Sequence, residues 1–327
     1  MKELQEILRA LRTGPEPGAW GLATLVRTEG HSYRRPGARL LMQASGPRIG
    51  ALSGGCLEAD VYARWREDPG RPRLLRYDLR GDLDLVWGTG AGCEGVADVL
   101  VETLDPATPW LAFVEGCLQG RRSGWVRTEL EGPGLGDRTW GEAGHAPEGG
   151  FVERVEPPIQ LWILGAGDDA RPLVRLAQVL GWRIGVADPR PAFATRERFP
   201  AADVVRAGPL RTLIPDLGLD ARTAVVLLTH HYARDLEALR LLLPSPAGYV
   251  GVMGHRLRGD RLLADLEAEG LEVSAGQRTR LHHPVGLDLG GDGPEAIALA
   301  ILAEVQAVMA GRRPLPLRER MPRTEPS

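Results

Sequence analysis

Leu161-Trp162-Ile163-Leu164-Gly165-Ala166-Gly167-Asp168-Asp169-Ala170 is the stretch that decides the fold of the second half of this chain. An apolar tetrapeptide, long enough for a buried strand, runs into Gly-x-Gly-x-x-Ala. Ala170, Leu173, Val174, Ala177 and Leu180 then follow at helical spacing. Gly165 permits the tight turn, Gly167 lets a pyrophosphate approach the backbone, and the small Ala170 lets helix and strand pack closely. A second apolar run, Arg183 to Ala187, ends at Asp188, about twenty residues past the turn, where a Rossmann acid accepts from a ribose hydroxyl. Arg190, just beyond it, instead suits a 2′-phosphate, so NAD and NADP both stay open. Asp168 and Asp169 read either as helix caps or as charges competing with phosphate for the same amides.

Working outward, the pattern on the C-terminal side alternates strand and helix. Strands are expected at Gln160 to Leu164, Arg183 to Ala187, Ala202 to Val205, Ala224 to Thr229 and Tyr249 to Val252, as near-continuous apolar runs of a parallel sheet covered on both faces. The last helix, Pro294 to Met309, follows an Asp292…Glu295 capping-box pattern. Upstream, Glu156-Pro157-Pro158 reads as a linker. Before it, a helix is expected over Met1 to Arg12, ended by Gly14, Pro15, Pro17 and Gly18. Strands are expected at Trp20 to Arg27, Ala38 to Gln43, Arg48 to Leu52, Arg73 to Leu79 and Val96 to Leu104. Helices are expected over Cys56 to Arg66 and Leu111 to Leu118, with hairpins and loops from Gly120 to Gly150. The expected class is α/β: an N-terminal mixed α+β domain over 1–156, a Rossmann-like doubly wound parallel sheet over 157–312, and a disordered Pro- and Arg-rich tail over 313–327.

Composition narrows function. The chain has 327 residues, a net charge of −3 and 43% hydrophobic residues, enough for two buried cores and without a basic stripe for nucleic acid. Lys2 is the only lysine, which argues against enzymes that use an internal lysine for pyridoxal chemistry, phosphate binding or tyrosine activation. The absence of asparagine and the 26 prolines fit a thermophile, or a GC-rich coding bias that favours Arg over Lys. Met1 to Arg12 lacks the order of a signal peptide and no apolar run spans a bilayer, so a cytoplasmic protein with no membrane contact is expected. The three cysteines then read as free thiols.

Two of those cysteines sit in glycine-rich turns. Ser53-Gly54-Gly55-Cys56-Leu57-Glu58 lies between a strand and a helix, and Cys93 lies in Gly88-Thr89-Gly90-Ala91-Gly92-Cys93. Such turns expose amides that bind anions, and a cysteine at a helix start carries more thiolate. Glu58 either opposes that charge or caps the turn by accepting backbone N–H bonds. The run Glu29 to Arg39 holds Arg34, Arg35 and Arg39, of which Arg35 and Arg39 are candidate phosphate clamps, with a solvated loop as the alternative. Cys117 reads as core. His230 is a candidate site residue at the sheet's carboxyl edge, whereas His231 and His282 read as surface or hydrogen-bonded histidines.

In order, Gly37-Ala38-Arg39, the Ser53–Glu58 turn, the Cys93 turn, Gly165-Ala166-Gly167, Arg198-Phe199-Pro200, Thr229-His230, His283-Pro284-Val285-Gly286-Leu287-Asp288 and Pro294-Glu295-Ala296-Ile297-Ala298 resemble the xanthine dehydrogenase accessory factor (XdhC/CoxI) family. The resemblance covers almost the whole chain. It is looser at Asp168 and His231, where His and Asp are usual, and at His255, where Ser is. It implies a homodimeric factor that binds molybdenum cofactor (molybdopterin) as cargo, protects it during sulfuration and hands it to an apo molybdenum hydroxylase, with a cysteine desulfurase as a further partner. Such a role is that of an insertion factor rather than a catalyst. On this reading Cys56 meets the molybdenum of the cargo, with Arg35, Arg39, Ser53, Gly54, Gly55, Glu58 and Cys93 around it. Gly165, Ala166, Gly167, Asp188, Arg190 and His230 would hold an adenine nucleotide such as NAD(P). An NAD(P)-dependent oxidoreductase and an adaptor with a vestigial Rossmann domain are the competing readings.

Overall fold

The computed structural model describes residues 2–13, 20–44, 49–80, 95–142 and 144–319. The chain forms two compact units, 1–157 and 158–327.

The first unit is built on an antiparallel sheet of five strands, β1 (Trp20–Gly30), β2 (Arg39–Gln43), β3 (Ile49–Gly50), β4 (Arg73–Asp78) and β5 (Gly95–Leu104), in the order β3-β2-β1-β5-β4. Alternation of side chains along the strands feeds two cores. Ala23, Leu25, Leu40, Met42, Val99 and Val101 share one core with α2 (Glu58–Glu67). Leu22, Leu41 and Leu104 share the other with α1 (Lys2–Thr13) and α3 (Pro109–Gln119), where Cys117 is buried as expected. Gly21 lets α2 close on the sheet, since a Cβ there would lie 2.6 Å from the Trp65 ring. The 120–150 stretch, expected as hairpins and loops, contributes to a second sheet of β6 (Gly124–Thr128), β7 (Arg138–Glu142) and β8 (Phe151–Val155), ordered β7-β6-β8. Its strands are five residues each, too short for a period to stand out singly.

The second unit is a parallel sheet of β9 (Gln160–Leu164), β10 (Arg183–Asp188), β11 (Val204–Ala207), β12 (Thr223–Leu227), β13 (Tyr249–Val252) and β14 (Leu281–His282). The order β11-β10-β9-β12-β13-β14 is the 3-2-1-4-5-6 order of the Rossmann fold, with its switch point at β9. The two-residue β14 is too short to carry a pattern and has no counterpart among the expected strands. Leu161 and Ile163 point into one core with α4 (Ala170–Val179) and α9 (Pro294–Met309). Trp162 and Leu164 point into the other, covered by α5 (Leu210–Leu213), α6 (Tyr232–Leu242) and α7 (Arg256–Ala268); α8 (Ala275–Arg280) precedes β14. α9 spans the expected residues, but Gly293 is its N-cap and no side chain caps it, so the Asp292…Glu295 box does not form. The tail is described to Glu319, with a 3-10 turn at Leu317–Glu319; the rest of the expected disordered segment, 320–327, lies outside the described residues, as do Gly14 to Gly18. Among the described residues no helix is long and apolar enough to cross a membrane.

Candidate functional site

In the first unit, strand polarity gathers three segments at one end of the five-stranded sheet. β1 ends at Gly30 opposite Gly95, and Asp78 pairs with Val96, so the loop after β1, the end of β4 and the start of β5 share that end. β3 runs antiparallel to β2 toward the same end and leads into the Ser53–Cys56 turn. α2 returns from there: Tyr77 donates from its hydroxyl to Asp60 at 2.7 Å, fixing the helix's first turn beside the end of β4. Cys93 itself lies outside the described residues.

The cysteine turn is organised by Glu58. Its carboxylate accepts the Leu52 N–H at 2.9 Å, the Ser53 N–H at 2.8 Å and the Ser53 hydroxyl at 2.6 Å. Ser53 Oγ in turn accepts the Gly55 and Leu57 N–H groups. Burial pushes the Glu58 carboxyl up, but the hydrogen bonds from Ser53 and Leu52 outweigh it and hold it below the usual carboxylate range. Glu58 is thus the turn's cap. α2 starts at Glu58, two residues later than expected, so half-buried Cys56 precedes the helix instead of opening it. Gly54 and Gly55 face open space, with no atom within 4 Å of an added Cβ, and Gly55 has a φ of +119° that favours glycine. The Gly54 and Cys56 amides meet no acceptor among the described residues.

The arginines of the preceding loop divide by environment. Arg39 is buried and forms a bidentate ion pair with Glu153 of β8, with further support from Glu3. Arg34 pairs with Glu3 at 3.0 Å, and Glu3 also accepts the Arg39 N–H. Arg35 is exposed, and its guanidinium meets no partner among the described residues. Arg39 is therefore structural in its contacts, and Arg35 is the cation of the loop left open to an anion.

In the second unit, Gly165 has a φ of +119°, and a Cβ there would fall 2.4 Å from the Leu228 carbonyl, so the turn needs glycine. Gly167 faces open space. Its amide and those of Asp168 and Asp169 meet no acceptor among the described residues, the arrangement that suits a phosphate. Asp169 stands at the N-cap position of α4, but neither aspartate makes a side-chain cap bond, and each carboxylate instead meets a side chain from another loop. Arg198 donates to Asp168 at 3.0 Å, and His230 Nε2 lies 2.9 Å from Asp169. His230 and His231 stand beyond β12 rather than on it, and His230 has a φ of +52°, rare for a non-glycine residue. Its loop is tied by buried Asp235, which accepts the Thr229 hydroxyl and pairs with Arg258.

Asp188 and Ala166 are buried, and Asp188 makes a closed set of contacts. Oδ1 accepts the Arg190 N–H at 2.8 Å and Nε at 2.9 Å; Oδ2 accepts the Ala166 N–H and Arg190 Nη2, both at 2.7 Å. Burial raises the Asp188 carboxyl, but these bonds outweigh it and hold it low. His255 caps α7 through Nδ1, accepting the Arg258 N–H at 3.2 Å. His282 pairs with Glu304, which also accepts from Tyr249 and the Gly286 N–H. Sequence reasoning missed the roles of Arg198, Asp235, Arg258 and Glu304. Only Arg198 left a signal, in the Arg-Phe-Pro motif; Asp235 and Arg258 meet between two helices on one face of the sheet, and Glu304 reaches from α9 to the β13 and β14 residues Tyr249 and His282. Among the described residues no group of three or more His, Cys, Asp or Glu is gathered to hold a metal ion.

The fold and turns define a class: a Rossmann-type protein carrying an antiparallel α+β domain that presents a cysteine on an open glycine turn. Residues 161–305 match the XdhC Rossmann domain, and residues 16–78 match the XdhC and CoxI family. The chain is 32% identical to a Bacillus subtilis protein named as a probable xanthine dehydrogenase subunit, over 87% of this chain and 91% of the other. It is 27% identical to the molybdenum cofactor insertion chaperone PaoD of Escherichia coli, over 88% and 82%. A crystal structure described as a xanthine dehydrogenase from Bacillus halodurans superposes with a TM-score of 0.80 at 30% identity, covering 96% of this chain and 97% of that one. The chain belongs to the XdhC and CoxI family.

Proposed function

We propose that the chain binds molybdenum cofactor at the cysteine turn of its first domain, protects it, and delivers it to an apo molybdenum hydroxylase of the xanthine dehydrogenase type. The observation that carries the reading is the open Gly54-Gly55 turn, which sets half-buried Cys56 beside unused amides at the sheet end that also holds Arg35. A cysteine sulfur is a soft ligand matched to a sulfur-bound molybdenum centre, while the glycine amides and Arg35 suit the pterin phosphate. Cys93, two residues before Gly95 of the same sheet end, is assigned as a second thiol contact on this reading. The insertion-chaperone relative supports molybdenum cofactor as cargo. A cysteine desulfurase and a second copy of the chain are the further partners of this reading, and the cytoplasm is its setting.

The Rossmann domain is assigned weak binding of an adenine nucleotide such as NAD(P), supported by the open Gly167 and the free amides of the Gly167–Asp169 turn. His230 and Arg198 flank that turn.

The test compares wild type with Cys56→Ser after loading each with molybdenum cofactor. Retention and transfer to an apo-hydroxylase are expected to fall in the variant, which keeps the side chain's size but loses the soft ligand. Equal retention and transfer would make Cys56 a packing residue and remove the assignment.

A further inference from the structure

A Rossmann acid that reads a ribose diol needs free lone pairs. A carboxylate offers about four acceptor positions. In Asp188 all are taken, two on each oxygen, by the Ala166 and Arg190 amides and by the Arg190 side chain. The Asp188 side chain is only 2% exposed, so a 2′-hydroxyl finds neither room nor an acceptor there. What the domain presents at that position is Arg190, 40% exposed. Only Nε and one Nη2 hydrogen of its guanidinium are committed to Asp188, and its remaining N–H donors meet no acceptor among the described residues. The guanidinium is held over Phe193, 3.9 Å from the ring centroid, and Arg198 lies 5.2 Å from the same ring. Asp188 therefore orients a cation instead of reading a sugar.

We propose that the Rossmann cleft selects a dinucleotide carrying a phosphate on its adenosine 2′-oxygen over one with a free 2′-hydroxyl, through Arg190 with Arg198 beside it. The inference rests on the reading of this domain as a nucleotide site and adds its specificity. Arg190 supplies charge-assisted bonds to the 2′-phosphate without releasing Asp188, and Phe193 supports the fork from below.

Calorimetric titration of the full chain with NADP⁺, NAD⁺, 2′,5′-ADP and inorganic phosphate tests it. NADP⁺ is expected to bind about ten- to hundredfold more tightly than NAD⁺, the worth of one or two charge-assisted hydrogen bonds. The 2′,5′-ADP fragment should retain most of that preference over inorganic phosphate. Arg190→Ala should abolish the preference, and Arg190→Lys should keep part of it. Because Arg190→Ala leaves a buried carboxylate unpaired, the wild-type comparison stands by itself if that variant does not fold. Equal or tighter binding of NAD⁺ overturns the selectivity alone. Phosphate binding as well as NADP⁺ overturns it as a simple anion site. Absence of binding by either dinucleotide overturns the nucleotide reading and the selectivity together.

Discussion

Removing the Glu58 carboxylate should loosen the cysteine turn without unfolding the domain. In Glu58→Ala the Leu52 and Ser53 amides and the Ser53 hydroxyl lose their acceptor. Leu52 is 2% exposed and Ser53 8%, so water replaces the lost bonds poorly. An unsatisfied buried donor costs about 1–3 kcal/mol, and the partial exposure of Glu58 places the pair of amides near the lower end, at roughly 2 kcal/mol together. That energy corresponds to about a thirtyfold shift in the opening equilibrium of the turn. Hydrogen exchange should therefore speed by about that factor at Leu52 and Ser53, and alkylation of Cys56 should quicken with it. Glu58→Gln retains one carbonyl oxygen for the two amides and should cost roughly half as much. The effect has a defined pH sense. The folded carboxyl sits below its unfolded value, so its contribution is complete above the unfolded pKa of about 4.3 and is lost as pH falls through the folded one. Unchanged exchange at Leu52 and Ser53 in Glu58→Ala would refute the assignment of Glu58 as the cap of the turn.

Tyr249→Phe removes the buried hydroxyl that donates to Glu304 and should lower stability by about 1 kcal/mol in chemical denaturation; no change would show that Glu304 is satisfied by His282 and Gly286 alone. Asp168→Ala removes a carboxylate from the glycine turn and frees Arg198, and should tighten dinucleotide binding about two- to fivefold by calorimetry. Weaker binding would mean that Asp168 positions Arg198 for the ligand instead of competing with it.

The Rossmann sheet is legible because its signals are local. Four-residue apolar runs such as Leu161–Leu164 announce fully buried strands, and a glycine at Gly165 has one conformational reason to follow them. β14 is illegible because two residues carry no period, and its place is set by pairing with Val250 and Gly251. In the first domain the cysteine turn can be found, since Gly54-Gly55 before Cys56 is a local pattern, but its surroundings cannot. Whether Arg39 faces an anion depends on Glu153, more than a hundred residues away, and nothing near Arg39 distinguishes it from Arg35. Charge partners across a sheet end are properties of topology. For the same reason the two acids of the glycine turn resemble side-chain caps in the sequence and make no cap bond in the fold, since their partners, Arg198 and His230, arrive from other loops.

Those pairs suggest how one cleft can be both closed and receptive. Two aspartates beside unpaired amides would by themselves repel a phosphate, yet here Asp168 is paired with Arg198 and Asp169 is hydrogen-bonded to His230. His230 and Asp168 are exposed, at 57% and 82%, and Asp169 is half-buried. Solvent-accessible pairs contribute about 0–1 kcal/mol each, so in the proposed nucleotide complex a phosphate would replace either carboxylate at small cost and take over its partner. The Asp188–Arg190 pair differs, since the carboxylate is buried and breaking the pair would strand its charge. On the proposed nucleotide reading, the pairs over the amides yield while the Asp188–Arg190 pair stays. His230 fits that division. A left-handed residue other than glycine costs on the order of 1–3 kcal/mol and persists only where its surroundings impose it. Here the Thr229–Asp235–Arg258 tie does so, holding the imidazole over the turn whichever anion, carboxylate or phosphate, occupies the place beside it.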